Sequence, residues 1–311
     1  MHSVTIRAPG KVNLALRVGR IGKDGYHPVV TVYQAVNIYE YVTAELAPSG
    51  SGINITINSV NTATNVASVP NDQRNIAYRA ATLLAKRMGI SPNLVLNIAK
   101  SVPVAGGMAG GSADGAATLL ACNELWECGL SGNELRTLAS ELGSDVPFSL
   151  MGGTAIGTGR GELLTPIDTA GRFHWVFGLS DLGLATPTVY RKFDELTEVE
   201  GSKRNWECDD ALDVELLHAL AIGDVGGVGA ALSNDLQAAA LALRPELTWP
   251  IEVALALGAH GAIVSGSGPT IAALARSELH AQQIATAWRQ AGAVANAIVT
   301  TAPASSAQIA A

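Results

Sequence analysis

The chain has 311 residues, 48% of them hydrophobic and 15% charged, with a formal net charge of −7. This length and apolar content suit a globular protein with ample core, and favour two domains over one. The negative balance without a basic cluster argues against nucleic acid as the main partner, and no run of 18 apolar residues is present to cross a membrane.

A strand-like pattern begins at Val4 and Ile6, with no signal or transit pattern before it. Val12, Leu14, Leu16 and Val18 then alternate with Lys11, Asn13, Ala15 and Arg17, which predicts a half-buried strand with Lys11 and Asn13 sharing one face. Lys23-Asp24-Gly25 reads as a turn, and Val29 to Val36 as the returning strand. Ile53, Ile55 and Ile57 alternate within a Ser-, Gly- and Asn-rich stretch and predict a strand with loose flanks. The spacing from Asp72 to Met88 predicts a helix, with Gly89 beyond its end.

Leu94, Leu96 and Ile98 alternate as a strand that feeds Val102 to Ala117, reading VPVAGGMAGGSADGAA. Two Gly-Gly pairs, Gly106-Gly107 and Gly110-Gly111, precede Ser112, and a helix is expected from Ala113 to Cys128. Glycine allows positive φ and close approach to a ligand. A helix start adds unpaired N–H groups and the positive end of a dipole. Loop and helix start together suit phosphate, the alternative at this point being a flexible surface loop with nothing bound. Neither GxxxxGK[ST] nor GxGxxG is present, so the two commonest nucleotide loops are excluded.

Ser131 and Glu134 form a capping-box pattern that opens another helix, ending near Gly143. Phe173 to Leu179 reads as a strand, 195–210 as a polar, mobile connection, and 213–222, 225–232 and 245–257 as helices. Ala262 to Leu274 reads as strand, Gly266-Ser267-Gly268-Pro269 turn, and strand. A helix from Glu278 to Gln290 and a strand from Val294 to Thr300 follow, and the small-residue stretch 302–311 is expected to be a disordered tail. Strand–helix mixing predicts an α+β protein, with domains 1–165 and 166–301. Cys122, Cys128 and Cys208 show no ligand spacing, which fits a reducing cytoplasm, and Cys122 falls in a core pattern.

The pattern P-x(3)-G-[LM]-x-G-G-S from Pro103 to Ser112 resembles the ATP loop of the GHMP kinase superfamily. Ala8-Pro9-Gly10-Lys11-Val12-Asn13-Leu14 resembles the N-terminal motif of that family, and Gly261 to Thr270 its C-terminal glycine motif. The three occur in the family's order. Asp24-Gly25-Tyr26-His27, Leu142 to Pro147 and Gly152 to Ala155 narrow the resemblance to the branch that phosphorylates a cytidine-bearing alcohol for isoprenoid synthesis. Met108, Ala109 and Ala113 depart from the usual Leu, Gly and second Ser.

The resemblance implies an N-terminal ATP-binding domain, a C-terminal ferredoxin-like domain, and ATP with Mg²⁺ as cofactors. It implies that Pro103, Val104, Ala105, Gly106, Gly107, Met108, Ala109, Gly110, Gly111, Ser112 and Ala113 cradle ATP, with Asn75 on the adenine side and Ser112 as a metal ligand. Lys11 and Asp145 take the catalytic roles, although an isolated Asp145 before Pro147 also reads as a helix N-cap. Asn13, Tyr26, His27, Tyr190, Gly266, Ser267 and Gly268 are implied to bind the small-molecule substrate. Other acceptors within the superfamily, homoserine or mevalonate, and a non-catalytic nucleotide sensor are the alternatives. Intact Lys11 and Asp145 count against the sensor.

Overall fold

The computed structural model of the chain describes residues 2–60, 66–104, 106–199 and 214–310. Two sheets organise it. The first carries β1 (Ser3–Val18), β2 (Val29–Leu46), β3 (Ile53–Ser59) and β4 (Leu94–Lys100), in the order β1-β2-β4-β3. β5 (Thr154–Thr158) and β6 (Leu163–Pro166) extend it from β2. One face is covered by α1 (Ile76–Met88), α2 (Gly110–Leu125), α3 (Gly132–Leu142) and α4 (Val146–Met151), with Val4, Ile6, Val42 and Leu96 packed against Leu84, Leu119 and Leu138.

The second sheet holds β7 (Phe173–Leu179), β9 (Gly261–Val264), β10 (Ile271–Ala275) and β11 (Asn296–Ala302) in the order β11-β7-β10-β9, all antiparallel. Counting these strands one to four along the chain, the spatial order is four-one-three-two, the ferredoxin-like arrangement. α5 (Thr186–Val199), α6 (Val214–Ile222), α7 (Val225–Ala230), α8 (Gln237–Leu243) and α9 (Thr248–Ala256) lie between β7 and β9, and α10 (Glu278–Gln290) lies between β10 and β11. The short β8 (Ser233–Asn234) pairs in parallel with β1.

β1 packs against both halves of the molecule along its length. Its pairing with β2 shifts between Pro9 and Gly10 and again between Asn13 and Ala15. Before the first bulge Val4, Ile6 and Ala8 pack on the helices; after it Val12 and Leu14 pack with Phe173, Trp175 and Phe177 of β7. The first shift leaves Asn37 and Ile38 over on β2, and the second leaves Leu14 over on β1. The expectation of a half-buried strand is therefore corrected: Lys11 and Asn13 do share a face, but that face is covered too, and they are 4% and 3% exposed.

Three further expectations need correction. α2 starts at Gly110 rather than Ala113, because Ala109 turns the chain at φ 60 and the two glycines take the first helical turn. The stretch 302–311 is ordered throughout its described part, 302–310. Ala304 exchanges hydrogen bonds with Ala35 and Gly153, and β12 (Gln308–Ile309) pairs with Ile6 and Arg7 of β1. Its small residues read as a loose tail but are what a tight seam needs: a Cβ on Gly152 would meet the backbone N of Ser306 at 2.5 Å. Thirdly, the expected connection at 195–210 is helical through Val199, and the rest of it, with Cys208, lies outside the described residues, as does Ala105 of the glycine loop.

Candidate active site

The two glycine-rich segments, far apart in sequence, pack face to face. A Cβ on Gly107 would lie 2.1 Å from the carbonyl oxygen of Ser265, and the Ser265 hydroxyl donates to the Gly107 carbonyl at 3.3 Å. Glycine at 107 is thus required both by φ 74 and by this approach. The turn after β9 is held from below by Asn234, whose amide donates to the carbonyls of Val264 (2.8 Å) and Gly266 (2.7 Å). Strand β1 completes the junction, with the Lys11 N–H donating to the Met108 carbonyl at 3.1 Å. Met108 itself is buried with Val102 and anchors the loop from its back.

Between these segments and β1 lies a cleft of about 390 Å³, lined by Pro103, Gly106, Gly107, Ala109, Gly110, Gly111 and Ser112 on one side. The N–H groups of Gly110, Gly111 and Ser112 open α2 and have no partner within the helix. Lys11, Asn13, Tyr33, Asp145, Arg160, Thr186, Tyr190, Gly266 and Ser267 line the remainder.

Lys11 is fixed by its neighbours. Its ammonium donates to Asn13 Oδ1 at 2.6 Å, and Asn13 donates onward to the Thr31 hydroxyl at 2.8 Å. Asp145 Oδ2 lies 3.6 Å from the ammonium, an ionic contact longer than a hydrogen bond. Asp145 Oδ1 accepts from the Tyr33 hydroxyl at 3.0 Å, and the Tyr33 ring stacks on Phe148. Burial first, and Asp145 second, hold the Tyr33 hydroxyl well above its ordinary pKa, so it stays a donor. Asp145 precedes α4 but makes no side-chain cap bond, so the N-cap alternative does not describe it.

Behind the lining residue Tyr190, His27 Nε2 lies 2.9 Å from Asp194 Oδ1, and the His27 ring meets that of Tyr190 at 5.0 Å between centroids. Burial, followed by Asp145, pushes the Tyr190 hydroxyl up to about 12. Arg160 lies over the Tyr26 ring at 5.2 Å.

Two family models match the chain, GHMP kinases N terminal domain over residues 75–153 and GHMP kinases C terminal over residues 216–294. The 4-diphosphocytidyl-2-C-methyl-D-erythritol kinase of Thermobifida fusca is 48% identical, over 97% of this chain and 96% of the relative. That of Mycolicibacterium gilvum is 44% identical, over 99% and 92%. The chain belongs to the 4-diphosphocytidyl-2-C-methyl-D-erythritol kinases of the GHMP kinase family. A crystal structure of 4-(cytidine 5'-diphospho)-2C-methyl-D-erythritol kinase superposes on this kinase with a TM-score of 0.74 at 30% identity, covering 96% of this chain and 99% of that one. A Leishmania major mevalonate kinase gives 0.77 at 17% identity, covering 96% of each chain. Fold likeness alone therefore does not distinguish acceptors, whereas sequence does.

Beneath the glycine loop, on the side away from the cleft, the kinase seals a second cluster of charges. The Lys100 ammonium donates to Asp114 Oδ2 at 2.6 Å and lies 2.7 Å from Glu40 Oε1 without a directed hydrogen bond. Glu40 Oε2 accepts from the Ser101 N–H at 2.9 Å. Burial, followed by the nearby Asp114, pushes Glu40 up to about 8, and burial pushes Asp114 up to about 6. Burial pulls Lys100 down, but the two carboxylates together more than offset it.

Most of the residues expected at the site converge on the cleft. Val104, Met108, Ala113, Tyr26 and His27 are not in its lining, Met108 and Ala113 being fully buried. Asn75 lies outside the cleft lining, its Oδ1 accepting from the Ala77 N–H and its Nδ2 donating to the Pro70 carbonyl. It is the N-cap of α1. Gly268 lies behind the lining turn, in a cis peptide with Pro269. Tyr33, Arg160, Asn234 and Asp194 were not singled out from sequence. Only Asp194 left a signal, standing four residues after Tyr190 on one helix face.

Proposed function

We propose that the cleft transfers the γ-phosphoryl group of ATP to the 2-hydroxyl of 4-diphosphocytidyl-2-C-methyl-D-erythritol, giving the 2-phosphate and ADP. The observation that carries this reading is the Lys11–Asp145 pair, 3.6 Å apart, facing the open N–H groups of α2 across one cleft. Those N–H groups hold the ATP phosphates, with the helix dipole favouring their charge. The acceptor hydroxyl seats beside Asp145 Oδ2, since Oδ1 is occupied by Tyr33.

A carboxylate of ordinary basicity lies roughly 12 units below an alcohol resembling water, so full deprotonation before transfer is uphill by about 16 kcal/mol. The proton therefore passes to Asp145 late, as the bond to phosphorus forms in a loose transition state. Lys11 keeps the carboxylate ionised and offsets charge on the transferring oxygens. Asn13, with both ends of its amide engaged, aims Lys11.

Mg²⁺ fits the donor set in one way. No group of three His, Cys, Asp or Glu able to hold a metal occurs among the described residues, and Asp145 is the one carboxylate lining the cleft. The Ser112 hydroxyl would be the ion's protein ligand, with the nucleotide phosphates supplying the other oxygens. When bound it neutralises phosphate charge.

At the acceptor end Tyr26, His27 and Tyr190 receive the cytidine, and Gly266-Ser267 closes over the substrate phosphates. The test is ADP release with a panel of acceptors. Release with 4-diphosphocytidyl-2-C-methyl-D-erythritol alone supports the reading. Release with homoserine or mevalonate instead replaces the substrate, and ATP binding with no turnover on any acceptor makes the protein a sensor.

A further inference from the structure

The contacts of His27 go beyond stacking. A carboxylate at neutral pH only accepts hydrogen bonds, so the 2.9 Å contact to Asp194 Oδ1 places the proton on Nε2 of His27. In the neutral tautomer that this contact selects, Nδ1 is the acceptor. Three residues of α5 fix this arrangement together. Tyr190 lies against the ring at 5.0 Å and 41°, Phe193 meets it edge-on at 6.3 Å and 77°, and Asp194 holds one nitrogen. The His27 side chain is 7% exposed, so turning the ring over breaks the Asp194 bond in a confined space.

We propose that Asp194 is a specificity-determining residue that, by fixing the His27 tautomer, makes the site select cytosine over uracil. The inference rests on the proposed placement of the cytidine beside His27 and Tyr190. Cytosine presents an amino group at C4, a donor that an acceptor nitrogen satisfies. A 4-keto pyrimidine presents an acceptor at the same place. Uracil would then set two lone pairs against each other in a half-buried pocket, leaving both unpaired. Stacking on Tyr190 cannot make this distinction, because every base has a π-face. Asp194 touches neither base nor phosphate in this scheme; it acts through His27.

The experiment is calorimetric titration of CDP and of UDP into the wild type, Asp194→Ala and Asp194→Asn, with melting curves as a control on folding. Asp194 sits on the outer part of α5 with a side chain 37% exposed, so both variants are expected to fold. The wild type should favour CDP, and Asp194→Ala should reduce the CDP-to-UDP preference about tenfold, the scale of one hydrogen bond. Asp194→Asn, whose amide can accept from Nε2 or rotate to donate to it, should fall between. A merely structural role would weaken both nucleotides alike. An unchanged ratio in Asp194→Ala, or a wild type that binds both equally, overturns the proposal. Because the readout is binding, it stays separate from the acceptor panel: lack of turnover with retained CDP preference would sink the phosphoryl-transfer reading and leave the base selection standing.

Discussion

Two lysines flank the glycine loop, and each faces carboxylate. Lys11 meets one, at 3.6 Å, in a cleft where the Asp145 side chain is 30% exposed. Lys100 meets two, at 2.6 and 2.7 Å, with all three side chains 3% exposed or less. The same two kinds of charge thus give different objects. The slack and solvent access of the first leave room for a hydroxyl and a moving proton. The second has no room for anything, and it ties β2, β4 and α2 together under the loop whose N–H groups must be aimed. A charged pair beside a phosphate loop is therefore not evidence of catalysis until its distance and exposure are known.

The largest effect that would break this contrast is on Lys100. Lys100→Met should cost about 3–5 kcal/mol of stability, because it leaves the buried Asp114 and Glu40 side chains without their cationic partner; chemical denaturation measures it, and a near-normal midpoint would show that the cluster is not structural. Asp145→Asn and Lys11→Ala should each lower turnover at least about 100-fold, the scale of a lost base or electrostatic donor, with little change in melting temperature. Near-normal turnover in either purified variant removes that residue from the chemistry.

The pH dependence sharpens the contrast further. Burial raises both Glu40 and Asp114 above their ordinary values, so the folded protein holds protons that the unfolded chain releases. Their contribution is complete below pH 4 and is lost as pH rises through about 6 for Asp114 and about 8 for Glu40. Melting temperature should fall across that window in the wild type, and Glu40→Gln should flatten its upper part. The smallest effect belongs to the loop itself. Ala109 holds φ 60, which costs an L-residue about 1–2 kcal/mol, and glycine returns about 0.4–1 kcal/mol through the unfolded chain. Ala109→Gly should therefore stabilise by roughly 0.5–1 kcal/mol in thermal unfolding.

Much of the site was legible because its parts are local. The glycine run announces positive φ and a helix start within a dozen residues, and Lys11 and Asn13 share a face by simple alternation. What escaped was set by contacts between distant segments. Tyr33 reads as one more aromatic in an apolar strand until the fold places its hydroxyl on Asp145. Gly107 looks like loop flexibility, yet it is demanded by Ser265 on the other sheet. Nothing in the sequence of β2 or β4 tells that Glu40 and Lys100 meet each other and Asp114 in one buried cluster. Residues 302–310 were misjudged for a related reason, since small side chains suit a disordered tail and a tight seam equally well.

That seam makes the polypeptide nearly a ring. The Ala310 N–H donates to the Thr5 carbonyl at 2.9 Å, and Ile6 pairs with Ile309, so the first strand of one sheet and the residues that follow the last strand of the other are stitched side by side. Cutting the gene between the sheets would not yield two self-sufficient pieces, because the first would lack the strand that covers its edge. Joining the two ends of the chain through a linker long enough to leave β1 whole, and opening the chain at the exposed Pro48–Gly52 turn, should instead keep the strand pairings intact. Serial order along the gene and neighbourhood in space are separable properties here, and the architecture answers to the second.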